Sequence, residues 1–270
     1  MQALANLEFK SPVKAAVKYL SFSFSLAAIV NEEVPVWETK TYKQENSLKN
    51  YLSKTFSTVA IGVAISAVLA YIASKLVPAL LMKSPGLYLG LSIVAIVAEL
   101  GIAFYFSANL MRMSKQTAWT CYIVYAVVTG LSFATIIMAY TNATVTLAFV
   151  STAIMFACMS FIGHTSNVDY TKVYSLFLPA ILAGIIITLL NSFFFHSAWI
   201  DMSIVYIGLV LFLVITAADV QRLKQFYYAS QSDDELAEKL MIMAAFQLYL
   251  DFANLFIRIL QIFGRRRNNN

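Results

Sequence analysis

The chain has 270 residues and a formal net charge of +5, with 60% of its residues hydrophobic and 12% charged and a mean hydropathy of +0.73. Soluble domains are roughly 45–50% apolar and about 25% charged, so the apolar excess must face lipid and no water-soluble domain of any size fits. The basic residues sit in an arm, in loops and in a tail rather than in a stripe interleaved with stacking aromatics, which argues against nucleic acid as a partner.

Residues 1–54 read as a polar N-terminal arm carrying seven lysines and five glutamates. Its one apolar run, Tyr19 to Val30, is too short to cross a hydrocarbon core about 30 Å thick, which takes roughly 20 residues. With Lys14 and Lys18 on its flank and no small-residue cleavage site, it reads as an interfacial helix. Residues 55–264 read as one membrane domain, with spans at about 55–75, 87–111, 118–140, 143–163, 174–195, 202–221 and 240–263. The separators carry the expected punctuation: Lys83-Ser84-Pro85-Gly86, Arg112 to Gln116, Thr141-Asn142, His164 to Lys172, and His196 to Asp201. Residues 265–270 form a basic polar tail. The predicted fold is an all-α polytopic membrane protein of seven transmembrane helices, and without an internal repeat it does not match the inverted-repeat transporters. Cys121 and Cys158 fall inside apolar segments without zinc or disulfide spacing and read as packing residues.

Lys and Arg in short loops set orientation. Lys43, Lys49 and Lys54, then Arg112 and Lys115, Lys172, and Arg222, Lys224 and Lys239 fall on one side, against Lys83 alone in the opposing loops, so the N-terminus is expected in the cytoplasm. Seven crossings then place Arg265-Arg266-Arg267 outside, against the same rule, which leaves open whether the last segment crosses or re-enters. The sequon at Asn142 would face the far side, but it hugs the membrane and is a poor glycosylation acceptor.

Ionisable residues at membrane depth are functional candidates, and Glu99, Asp219 and Asp251 qualify, whereas Lys75 lies at a helix end and can snorkel. In the last span Gln247, Asp251, Asn254, Arg258 and Gln261 recur at spacings of four and three, within an arc of roughly 80° at 100° per residue. Such a stripe cannot face lipid, which places this helix centrally in the bundle. Asn254 and Gln261 could be no more than interhelical hydrogen-bonding groups. Asp219 closes the sixth span, with Thr216 one turn earlier on its face, and the next loop returns the chain so that the two aspartates can meet across antiparallel helices. Two adjacent carboxylates cannot both ionise cheaply. They would share a proton or hold a hard cation, the outline of a pH-sensitive calcium site or gate.

The segments GLVLFLVITAADVQRLK and LYLDFANLFIRILQIFG, with AELGIAFYFSANLMRMSKQTAWTCYIVYAVVTGLSF in the middle, resemble the Bax inhibitor (transmembrane Bax inhibitor motif) family, particularly its bacterial branch, over roughly residues 50–264. The resemblance implies a seven-helix fold with a central last helix, and a pH-dependent calcium leak. It matches the family's aspartate pair to Asp219 and Asp251 and its second-span glutamate to Glu99. Three features depart from the family pattern. Ala218 stands where an aromatic is usual, and the arm is longer than in the bacterial branch. The basic residue that pairs with the aspartates in some members has only Arg112 near its place, with Asn109 the other occupant.

The expected function is therefore a pH-sensitive, calcium-permeable leak channel gated by Asp219 and Asp251, with Glu99, Asn254, Arg258, Gln247, Thr216 and Arg112 lining or supporting the route. The expected partners are the lipid bilayer, calcium and protons. No cofactor is expected, and calcium enters as a permeant or bound ion. The alternative is a membrane interaction protein that regulates a membrane protease or a stress or cell-death response without permeation. An intramembrane aspartyl protease is a remote third reading, because Asp251 is flanked by Leu250 and Phe252 rather than a Gly-rich GxGD context, so no enzyme is expected. A serine protease fares no better, since His164 and His196 lie off membrane depth and no G-x-S-x-G occurs. The expected location is a bacterial inner membrane, or an endoplasmic-reticulum or other organelle membrane in a eukaryote.

Overall fold

Seven helices follow one another in a computed structural model that describes residues 42–166, 168, 171–231 and 233–266. The interfacial helix expected over Tyr19–Val30 lies outside the described residues. The helices are α1 (Tyr42–Lys83), α2 (Pro85–Asn109), α3 (Lys115–Met138), α4 (Asn142–Thr165), α5 (Thr171–Leu190), α6 (Ala198–Ala229) and α7 (Asp234–Arg266). All seven are long and apolar enough to cross a membrane, and no strand occurs among the described residues.

Local chemistry explains most of the boundaries. Pro85 starts α2 at a position where its missing N–H costs nothing. Ser114 and Thr141 cap α3 and α4, accepting from the N–H groups of Thr117 and Thr144. Asp233 Oδ1 accepts from the N–H groups of Glu235 and Leu236 at the start of α7. A single π turn, Asn191–Phe195, closes α5, and His196 in the left-handed region (φ 49°) reverses the chain. Asn191 ties this hairpin by donating to the Ser197 carbonyl and to Asp201 Oδ1 and accepting from the Ser197 N–H.

Three helices outrun the hydropathy expectation at the end of the bundle where α1 begins, called here the near end. α1 starts at Tyr42 instead of about 55, α6 continues ten residues beyond Asp219 to Ala229, and α7 begins at Asp234. The physical reason is that VQRLKQFYYA and DELAEKLM keep an apolar face against their neighbours and carry their charges beside it, where Lys224 donates to the His164 carbonyl and Lys239 pairs with Glu235. A hydropathy window stops at those charges, although the helix does not. Consequently Asp219 lies about three turns inside the end of α6 instead of closing it.

α7 is the central helix, as its polar stripe predicts. It packs against α1, α3, α4 and α6, and 67% of its most apolar stretch is buried, against 0% for α2. α2 touches α3 and α1 and stays at the periphery, and α5 leans on α6. α7 is continuous over 33 residues, about 50 Å at 1.5 Å per residue, an unbroken helix long enough to cross the hydrocarbon core. Around it Phe106, Tyr125 and Phe246 pack edge to face, with ring centroids 4.9 Å apart in both pairs, and each such contact adds about 0.5–1.5 kcal/mol beyond area burial. Lys115 and the Trp119 indole N–H both reach Glu238 at 3.3 Å, tying α3 to α7 at the near end.

Candidate functional site

The site begins with two close approaches between helices. In α6 the run Ile215 to Val220 is buried, and its small Ala217 and Ala218 let α4 come to backbone contact. A Cβ added at Gly163 would stand 2.2 Å from the Ala217 carbonyl oxygen, so only glycine fits there. On the other side α6 packs along α7. This double seam removes Asp219 (8% exposed) and Asp251 (3% exposed) from solvent and lipid.

The Asp251 carboxyl lies against the Asp219 carboxyl and the Thr216 hydroxyl. Thr216 already donates to the Phe212 carbonyl of its own helix at 2.8 Å. Asp251 Oδ2 is buried with no hydrogen-bond partner. A buried carboxylate oxygen without a donor costs several kcal/mol when charged. The two aspartates that the sequence pairs are thus brought together, with Thr216 beside them.

The remaining candidates divide. Arg258 lies farther along the same seam, its guanidinium over Gly208, where a Cβ would stand 2.9 Å from its Cζ. It is seven residues from Asp251, roughly 10 Å along the helix, and no carboxylate lies within salt-bridge distance of it among the described residues. Asn254 donates to the Leu250 carbonyl of its own helix at 2.8 Å. Gln247 and Gln261 are half-buried, and Gln261 Oε1 has no hydrogen-bond partner. Arg112 is exposed in the α2–α3 turn.

Glu99 belongs to a different cluster. It turns from α2 towards α3, within reach of Ser132, and its Oε1 is buried and unpartnered. The neighbouring polar groups are Tyr125, Thr129 and Tyr249, and Tyr249 shares a 2.7 Å hydrogen bond with Ser66 of α1. Ser66 in turn donates to the Ala126 carbonyl at 2.7 Å. Tyr249 and Asp251 point about 200° apart around α7, so this cluster and the aspartate pair occupy opposite faces of one helix.

Sequence reasoning missed the Ser66–Tyr249 contact. A signal was present, because Thr58, Gly62, Ser66, Ala70 and Ser74 recur every four residues, the small-residue stripe that lets membrane helices approach closely. Along it Tyr122 donates to the Thr58 carbonyl at 2.7 Å, and Gly130 meets the Ser66 backbone. No group of three or more His, Cys, Asp or Glu side chains is placed to hold a metal among the described residues.

Comparison with known proteins adds the lineage. Residues 48–268 match the family described as inhibitor of apoptosis-promoting Bax1. An uncharacterised protein of Borreliella burgdorferi is 34% identical over 230 residues, covering 84% of this chain and 97% of its own length. An uncharacterised protein of Rickettsia prowazekii is 33% identical over 233 residues, with 86% and 95% covered. The Escherichia coli inner membrane protein YbhL is 32% identical over 223 residues, with 82% and 93% covered.

Proposed function

Because the chain belongs to the Bax inhibitor family of multi-pass membrane proteins, we propose that it is a pH-sensitive, calcium-permeable leak of a bacterial inner membrane, gated where Asp219 and Asp251 meet. The observation that carries this reading is the buried carboxyl pair on the α6–α7 seam, one of whose oxygens has no donor. A proton between the carboxyls would hold the two helices together. Full ionisation without a cation would push them apart and admit water, so protons and calcium would compete for the same oxygens. Calcium takes six to eight oxygen ligands, and two carboxyls supply too few for a resident ion. Completed by water, they suit an ion in passage.

The location is supported by the name of the Escherichia coli relative, an inner membrane protein. The cytoplasmic placement of the near end rests on the distribution of Lys and Arg. A single cysteine in the 112–116 turn is expected to label from the cytoplasm and one at Lys83 from the opposite side. Equal labelling of both from outside would overturn that orientation.

Calcium entry into proteoliposomes containing only this protein tests the leak directly. Entry above that of protein-free vesicles is the expected result. Its absence across the pH range, with the protein folded and correctly inserted, would favour a protein that acts by contact with other membrane proteins.

A further inference from the structure

Helices α1 and α4 do not close on each other over their far halves, and between them lies a cavity of about 590 Å³ floored by α3 and α7. Its walls are mainly apolar, with Phe133 of α3, Phe149 of α4, and Phe252 and Phe256 of α7 among them. Ser66 and Tyr249 also line it. In a bilayer this space fills with something, and rings on several sides favour hydrocarbon over water.

The mouth is different. Lys75 of α1 lines it, drawn across the Tyr71 ring at 5.0 Å. Lys75 is exposed, and no carboxylate stands within salt-bridge distance of it among the described residues. Facing it, Asn142, Val145 and Thr146 place the N-terminal end of α4 on the same rim, the end of a 24-residue helix that carries partial positive charge. Lys75 precedes the end of the α1 span at Leu80 by five residues, about 7 Å along the axis and close to headgroup depth.

We propose that this cavity is a binding site for an anionic phospholipid, one acyl chain lying between α1 and α4 against Phe252 and Phe256 and the headgroup meeting Lys75 and the α4 N-terminus. The proposal is independent of the leak reading, since it requires neither Asp219 nor Asp251.

The test is native mass spectrometry of the delipidated full chain titrated with phosphatidylglycerol or phosphatidylcholine. The parent should retain phosphatidylglycerol about fivefold better, the ratio expected from one basic residue near a membrane surface. Lys75→Gln should remove most of that preference while keeping acyl binding. Lys83→Gln, at the exposed end of the same helix, should leave it intact. Ala67→Phe, which fills the cavity from the α1 wall, should reduce retention of both lipids without lowering the melting temperature. The proposal is overturned if the parent shows no preference, if Lys83→Gln and Lys75→Gln act alike, or if a folded Ala67→Phe protein retains lipid as the parent does.

Discussion

Gly163→Ala is expected to destabilise the bundle although alanine is the better helix former. Gly163 lies in the last turn of α4, where the gain from propensity is at most about 1 kcal/mol, the value for a helix interior. Here the added methyl would stand 2.2 Å from the Ala217 carbonyl oxygen and 2.8 Å from its Cα, both backbone atoms that no rotamer change can move. Either α4 or α6 must shift, and overpacking of this kind costs about 1–3 kcal/mol. The melting temperature in detergent should fall by roughly 2–4 °C per kcal/mol lost. Gly101→Ala supplies the control: it also lies within a helix, but nothing stands within 4 Å of its Cβ position, so that variant should hold or rise. Equal behaviour of the two would mean that α4 and α6 are not in backbone contact. Because Ala217 is two residues from Asp219, a folded Gly163→Ala protein should also show altered calcium flux.

Seven spans, their order and the central last helix were legible in the sequence, because the signal for each is long and periodic. Helix ends were less so. The amphipathic continuations of α1, α6 and α7 carry charges that terminate a hydropathy window while the helix runs on beside its neighbours. The pairing of Asp219 with Asp251 was legible because both are acids at membrane depth on consecutive antiparallel helices joined by a short loop. Glu99 was legible as a buried acid but not in its placement, since one helix's polar stripe does not say which side of α7 a carboxylate on α2 will approach. The hydrogen bond between Ser66 and Tyr249 joins residues 183 positions apart, and only the assembled packing of α1, α3 and α7 creates it. The cavity by Lys75 was likewise invisible, because a gap between two helices leaves no mark in either one's sequence.

The central claim is that Asp219 and Asp251 act as one titrating unit that gates calcium. Asparagine preserves the shape of either side chain and can hydrogen-bond to the remaining carboxyl, so neither single change should unfold the seam, but neither leaves two acids to share a proton. Each of Asp219→Asn and Asp251→Asn should therefore flatten the dependence of flux on pH, and the double variant should add little to either, as expected for residues in contact. Glu99→Gln, on the other face of α7, should have the smaller effect. The decisive measurement is calcium flux into proteoliposomes between about pH 5 and 8 for the parent, both single variants and the double variant. The account predicts a pH-dependent parent and three flat, similar profiles. Asparagine variants that keep the parent's profile would contradict it and leave the two aspartates as buried polar contacts between helices.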